Sequence, residues 1–222
     1  MDYLPAIEKE APQDRAVDAA IVWLHGLGAS GDDFAAIVPE LELAQEYGIR
    51  FVFPHAPSIP VTINSGMVMP AWYDIRELDV GRHGDETQLR QSAGRVHDLI
   101  KREIARGIAP ARIIVAGFSQ GGAVALEAGL TFPQRLGGIM SLSGYFATVH
   151  SIAINPAQQH IPILVCHGTE DPMVAEALGR KSAERLQELG FVPEYHSYPM
   201  AHAVCIEEIR DLAGWIRRTL TG

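Results

Sequence analysis

The segment Arg112-Ile113-Ile114-Val115-Ala116-Gly117-Phe118-Ser119-Gln120-Gly121 runs on into Gly122-Ala123-Val124-Ala125-Leu126-Glu127-Ala128-Gly129-Leu130, and its reading decides the fold. An apolar run of strand length, Arg112–Ala116, meets the pattern Gly-x-Ser-x-Gly, and an apolar run of helix length, Gly121–Leu130, follows. A serine on so sharp a strand-to-helix turn is held in a strained conformation with its Oγ exposed. The residues two before and two after it crowd each other, so both must be small. The helix is apolar nearly all round, which predicts that it is buried and that the strand before it lies near the sheet centre. Its N-terminus aims backbone N–H groups and partial positive charge at the turn, where a developing oxyanion is stabilised. A glycine-rich turn with an incidental serine is the plainer alternative. The strand–turn–helix context and the partner residues below favour a nucleophile.

Outward from this turn the organising signal is alternation. Short apolar runs that suit buried strands occur at Ala20–Leu24, Arg50–Phe53, Ile113–Ala116, Gly138–Leu142 and Ile163–Cys166, and a more polar run at Glu194–Tyr198. The opening, Tyr3–Val17, is expected to add an edge strand, which makes about seven. Between the runs lie segments of helical spacing. Asp85–Arg106 places Leu89, Ala93, Val96, Ile100 and Ile104 on one stripe and stops at Gly107; Val174–Leu189 stops at Gly190; the last helix carries Ile209, Leu212, Ala213, Ile216 and Leu220. Strands alternating with helices imply an α/β fold with a mostly parallel sheet, and near-continuous apolar strands imply helices on both faces. Pro54–Gly84 and Ser143–Pro162 are irregular, and a long connection in a compact domain is usually functional. Neither is long enough for a second domain or a large lid, so 1–222 is read as one domain.

The 222 residues carry a net charge of −9, which argues against nucleic acid and against docking to an anionic membrane. No apolar run is long enough to span a bilayer. Met1–Pro5 lacks a basic segment followed by an apolar one, so no signal peptide is expected. Two cysteines, Cys166 and Cys205, make no disulfide framework, and a reducing cytoplasm is the expected location.

A serine hydroxyl needs a base, and the base an orienting acid. In the order that goes with this turn, the acid and then the histidine follow the serine. Of the histidines after Ser119, His196 lies within a strand, His150 and His160 in an irregular stretch, and His167 too early to follow the acid. His202, just past the strand Glu194–Tyr198, is the base. The acid comes from Cys166-His167-Gly168-Thr169-Glu170-Asp171-Pro172, where Asp171 is favoured over Glu170; Asp74, Asp79 and Asp85 are out of order. Asp171 also reads as a helix N-cap with Pro172 at the first helical position, a role that competes for the same carboxylate. After the strand Ala20–Leu24, His25-Gly26-Leu27-Gly28 is a loop able to expose N–H groups. By analogy the oxyanion donors are the backbone N–H groups of Leu27 and Gln120, with His25 a buttress of the loop.

At these residues the chain resembles the carboxylesterase/acyl-protein thioesterase family of α/β-hydrolases, also called the phospholipase/carboxylesterase family. The likeness covers nearly the whole chain: Trp23-Leu24-His25-Gly26-Leu27-Gly28, Ala71-Trp72-Tyr73-Asp74-Ile75, Ala116-Gly117-Phe118-Ser119-Gln120-Gly121-Gly122, Leu142-Ser143-Gly144, His167-Gly168 with Asp171-Pro172, and Tyr198-Pro199-Met200 before His202. Bacterial carboxylesterases look closest. The resemblance implies Ser119, Asp171 and His202 as a catalytic triad, Leu27 and Gln120 as oxyanion donors, no metal or organic cofactor, and often a homodimer. It departs at Ala201, where the family usually has glycine, and at Ala203, where it often has glutamate. If position 201 needs a positive φ, alanine strains the loop by roughly 1 kcal/mol.

A cysteine hydrolase is disfavoured, because Cys166 and His167 are adjacent on a strand and point to opposite faces. A metal enzyme is disfavoured too: neither H-E-x-x-H nor C-x-x-C occurs. The non-enzyme alternative is a silent binding protein with the hydrolase fold, which typically lacks a triad member. The expected substrates are small carboxylic esters of short to medium acyl chains, with thioesters of acylated proteins and lysophospholipids as alternatives. Ile63–Tyr73, with Met67, Val68, Met69, Trp72 and Tyr73, reads either as the acyl-side wall or as satellite core; Met69, Trp72 and Tyr73 are taken as substrate-binding.

Overall fold

The computed structural model describes residues 3–10, 16–43, 46–76 and 84–221. Its strands are β1 (Ala6–Lys9), β2 (Ala19–Leu24), β3 (Ile49–Pro54), β4 (Ser58–Val61), β5 (Met67–Pro70), β6 (Ile113–Phe118), β7 (Gly138–Leu142), β8 (Ile163–Gly168) and β9 (Glu194–Tyr198). Its helices are α1 (Asp32–Ala35), α2 (Ile37–Glu40), α3 (Glu86–Ala105), α4 (Gln120–Thr131), α5 (Glu176–Glu188) and α6 (Ile206–Thr221). Seven strands form one sheet in the order β1-β3-β2-β6-β7-β8-β9. All neighbours are parallel except β1, which runs antiparallel to β3 at the edge. β6, the strand that ends at the serine turn, is the middle one.

The apolar runs become strands because both of their faces are covered. Along β2, Ala20, Val22 and Leu24 point into one core and Ala19, Ile21 and Trp23 into the other. The first core is closed by α3, α4 and α5, through residues such as Leu89, Val96, Leu126 and Leu186. The second is closed by α6, through Leu212, Trp215, Ile216 and Leu220, and by Ile37 of α2. Each large side chain so buried stabilises the fold by roughly 1.5–3 kcal/mol. Every residue of α4 from Gln120 to Leu130 is buried, as its composition requires. On α3, Leu89, Ala93, Val96 and Ile100 are buried and Ile104 partly so, while Asp85 caps the helix by accepting the Gln88 N–H at 3.0 Å.

Two expectations change. Pro54–Gly84 is not wholly irregular: β4 and β5 pair as an antiparallel ribbon, with Ile59 opposite Met69. Pro60 and Pro70 hid it, since proline is confined to edges and short ribbons. Residues 77–83 of that stretch, including Asp79, and residues 11–15 of the opening lie outside the described residues. Among the described residues no helix is long and apolar enough to cross a membrane, and no lid domain is evident.

Candidate active site

Ser119 joins β6 to α4 with φ 55° and ψ −118°. A non-glycine residue held there costs of order 1–3 kcal/mol, so its surroundings must enforce it. Its N–H donates to Leu142 O at 2.8 Å, tying the turn to β7. A Cβ on Gly117 would stand 2.1 Å from Gly121 O, and one on Gly121 2.5 Å from Leu24 O, so the turn closes only with glycine at both places.

The loop after β2 lies beside this turn. His25 is buried; its Nδ1–H donates to Gly26 O at 2.7 Å, and its Nε2 accepts the Ala56 N–H at 3.0 Å. Those partners assign the tautomer. Burial lowers its pKa, which keeps the ring neutral. Trp72 Nε1–H donates to His25 O, and the Gly28 N–H to Pro70 O, both at 2.8 Å. His25 is thus the buttress that its position suggested. No hydrogen bond within the described residues engages the N–H of Leu27 or of Gln120, and both residues line the same cleft as Ser119.

His202 follows β9, and its Nδ1–H donates to Asp171 Oδ2 at 2.6 Å. The other oxygen, Oδ1, accepts the N–H groups of Met173 and Val174, each at 2.8 Å. The competition expected between capping and orienting does not arise, because each oxygen takes one role. Nor is Asp171 the cap of α5. That helix starts at Glu176, and Asp171 closes a turn of its own before it. Glu170 is exposed. Sequence reasoning gave no role to His167, which is buried on β8. Its Nε2–H donates to Val174 O at 2.8 Å and stands 3.6 Å from Asp171 Oδ2, so it braces the turn that Asp171 closes. Burial lowers its pKa as well. Its place four residues before the acid was the available signal.

Ser119 and His202 line one cleft of about 460 Å³. No hydrogen bond of ordinary length joins Ser119 Oγ to the imidazole, a contact that commonly tightens only once substrate is bound. The His202 ring packs on Phe118, with centroids 4.7 Å apart, and Phe118 packs on Phe34 at 5.4 Å.

Residues 6–220 match the family described as phospholipase/carboxylesterase. The protein is a member of the phospholipase/carboxylesterase family. It is therefore a hydrolase with the α/β-hydrolase fold. It is 39% identical over 213 residues to acyl-protein thioesterase 1 of Gibberella zeae, covering 91% of each chain. It is 37% identical over 207 residues to carboxylesterase SOBER1 of Arabidopsis thaliana, again covering 91% of each. The crystal structure of SOBER1 superimposes with a TM-score of 0.86 over 92% of this chain and 100% of that one, at 34% identity. These relatives are fungal and plant proteins, so the expectation that bacterial carboxylesterases look closest is not supported.

The residues expected to bind substrate divide between the cleft and the core. Met69 lines the cleft together with Ile63, Asn64 and Ile75. Trp72 and Tyr73 do not line it. Trp72 is 1% and Tyr73 0% exposed, so they are core. The Gln120 side chain fixes them there, its Oε1 accepting the Trp72 N–H at 2.8 Å and its Nε2–H donating to Tyr73 O at 2.7 Å. They are tied instead to the His25–Gly28 loop, through Trp72 and His25 O, and to Gln120, the residue after the serine. Phe34, Phe118 and Met173 line the cleft and were missed; Phe118, beside the serine in its motif, was the one with a signal. Ala201 is not among the residues with positive φ, so alanine is accommodated without the strain its family position suggested. Among the described residues no three His, Cys, Asp or Glu side chains gather as a metal site.

Proposed function

We propose that this protein hydrolyses carboxylic esters and thioesters of short to medium acyl chains through an acyl-enzyme on Ser119. The observation that carries the reading is the Asp171–His202 hydrogen bond of 2.6 Å in the cleft that also holds Ser119 and the unengaged N–H groups of Leu27 and Gln120. Asp171 holds the proton of His202 on Nδ1, which leaves Nε2 basic. Ser119 Oγ attacks the carbonyl carbon and its proton passes to Nε2. The carbonyl oxygen takes the negative charge between the two N–H groups, where each donor is worth about 10²–10³ in rate. The tetrahedral species collapses, the bond to the leaving group breaks, and the leaving oxygen or sulfur takes the proton from Nε2. A water then attacks the acyl carbon, gives its proton to Nε2, and the acid departs as that proton returns to Ser119 Oγ.

The relatives named acyl-protein thioesterase and carboxylesterase support both leaving atoms. The free cysteines Cys166 and Cys205 fit a cytoplasmic setting. The test is a panel of esters and thioesters with acyl chains from acetyl to octanoyl, assayed with wild type and Ser119→Ala. Hydrolysis of both classes by wild type, lost by several orders of magnitude in Ser119→Ala, is expected. Activity that survives in Ser119→Ala, or a folded wild type inert on the whole panel, overturns the reading.

A further inference from the structure

Asp171 stands in a turn whose two ends are fastened separately. The near end is tied to the segment that leads to His202: the Thr169 N–H donates to Tyr198 O at 2.8 Å and the Glu170 N–H to Met200 O at 3.1 Å. The far end is Val174, two residues before α5 begins. Its N–H donates to Asp171 Oδ1 and its carbonyl accepts His167 Nε2–H, each at 2.8 Å. The same Nε2 stands 3.6 Å from Asp171 Oδ2, the oxygen that accepts His202 Nδ1–H at 2.6 Å. That is too long for a hydrogen bond, so His167 acts on the carboxylate through Val174.

Two features of the fold work against stability to keep His167 there. With its proton on Nε2, the fully buried ring leaves Nδ1 an acceptor that finds no hydrogen-bond partner among the described residues, and such an orphan is destabilising. In α5, Gly179 occupies a helix interior, where glycine is unfavourable, and a Cβ built on it would stand 2.2 Å from His167 Nδ1. An apolar side chain on β8 would leave no orphaned nitrogen. What it could not supply is the N–H that holds Val174 O. Burial keeps the ring neutral, so this donor does not compete with His202 for the charge of Asp171.

We propose that His167 is a positioning residue: by holding Val174 it fixes the Asp171 carboxylate against His202, and so sets kcat without touching the substrate. The proposal rests on the hydrolase reading above. Without the His167 donor, Val174 is released from the sheet and Oδ1 loses the firm placing of one of its two donors. The carboxylate then drifts, and the imidazole it orients turns away from Ser119. A misplacement of about 1 Å, passed on from a residue outside the site, costs about 10²-fold in rate. His167 does not line the cleft, so substrate binding should be left almost as it was.

The test measures kcat and KM on a butyryl ester for wild type, His167→Met and His167→Gln, and repeats His167→Met in an Asp171→Asn background, at a temperature below every melt. His167→Met, which fills the space without a donor, should lower kcat roughly 10- to 100-fold and move KM by less than about threefold. His167→Gln, whose amide N–H can take the place of Nε2–H, should stay within about threefold of wild type. In Asp171→Asn no carboxylate is left to orient, so adding His167→Met should lower kcat by less than about threefold. His167→Asn, whose shorter amide does not reach Val174 O, should match His167→Met and replaces it if that variant does not fold. A kcat for His167→Met within threefold of wild type overturns the proposal. So does a His167→Gln no better than His167→Met, or a full His167→Met loss that persists in Asp171→Asn, since either would make His167 a structural residue only. A folded wild type inert on the ester overturns the hydrolase reading itself, and the proposal with it.

Discussion

Replacing Asp171 by asparagine should abolish most activity while leaving the protein folded, and the two oxygens of Asp171 say why. Oδ1 accepts two N–H groups, from Met173 and Val174, each at 2.8 Å. Only the carbonyl oxygen of an asparagine can take that place, because an amide nitrogen there would face two donors. The NH2 group is then forced into the position of Oδ2, 2.6 Å from His202 Nδ1. It donates to Nδ1, so the ring proton moves to Nε2, the atom that must receive the proton of Ser119. The equivalent change in serine proteases costs about 10⁴ in kcat, and a loss of ~10³–10⁴ here corresponds to roughly 4–5.5 kcal/mol of transition-state stabilisation. Stability should fall by no more than about 1–2 kcal/mol, since both turn hydrogen bonds persist. The assay is steady-state kcat on a butyryl ester, with thermal melts of the same samples. Glu170→Gln, an exposed change, should cost less than threefold. An Asp171→Asn enzyme retaining a tenth of wild-type kcat, or a Glu170→Gln enzyme losing as much as Asp171→Asn, would refute the assignment.

Three further outcomes follow from where these side chains sit. Met69→Ala should weaken octanoyl esters by roughly ten- to thirtyfold in kcat/KM, about 1–2 kcal/mol of lost apolar contact, and acetyl esters hardly at all, because only the long chain reaches it. Trp72→Ala should instead lower all chain lengths alike and depress the melting temperature, as removal of a core tryptophan costs about 3–5 kcal/mol; chain-length selectivity from Trp72→Ala would restore it to the acyl wall. Glu208, fully buried in the first turn of α6, has its carboxyl pushed up to about 8 by burial. A folded-state value above the unfolded one means that the neutral form's stability is fully present below about 4.5 and is lost as pH rises through about 8. Melting temperatures of wild type should therefore fall across that window, by up to about 5 kcal/mol of stability, and Glu208→Gln should lack this component; parallel pH curves for the two proteins would show that Glu208 titrates normally.

What could be read from the chain depended on whether a residue's environment is set locally. β2, β6, β7 and β8 were legible because a strand buried on both faces must be apolar throughout. The serine turn was legible because its two glycines answer a clash that any side chain would cause. The β4–β5 ribbon was not, since two proline-bearing tetrapeptides pair only with each other. Order along the chain selected His202 and Asp171, but nothing in sequence tells which carboxylate oxygen faces the imidazole, so the cap and the acid looked like rivals. Trp72 and Tyr73 are as apolar as any acyl wall. Their burial in the folded chain assigns them to the core, and the Gln120 side chain, reaching both of their backbones from the serine turn, fixes them there. Asp33 and Phe34 enter the cleft from the short helix α1, just after the His25–Gly28 loop, and no spacing rule points to them.

The claim that Ser119 becomes acylated is tested most directly by reacting the folded, ester-active protein with a fluorophosphonate and locating the adduct by peptide mass spectrometry. One adduct per chain, on Ser119, is predicted, forming in step with loss of esterase activity and slowed by orders of magnitude in His202→Ala. An adduct on another residue, or full esterase activity with no adduct at all, would contradict the account.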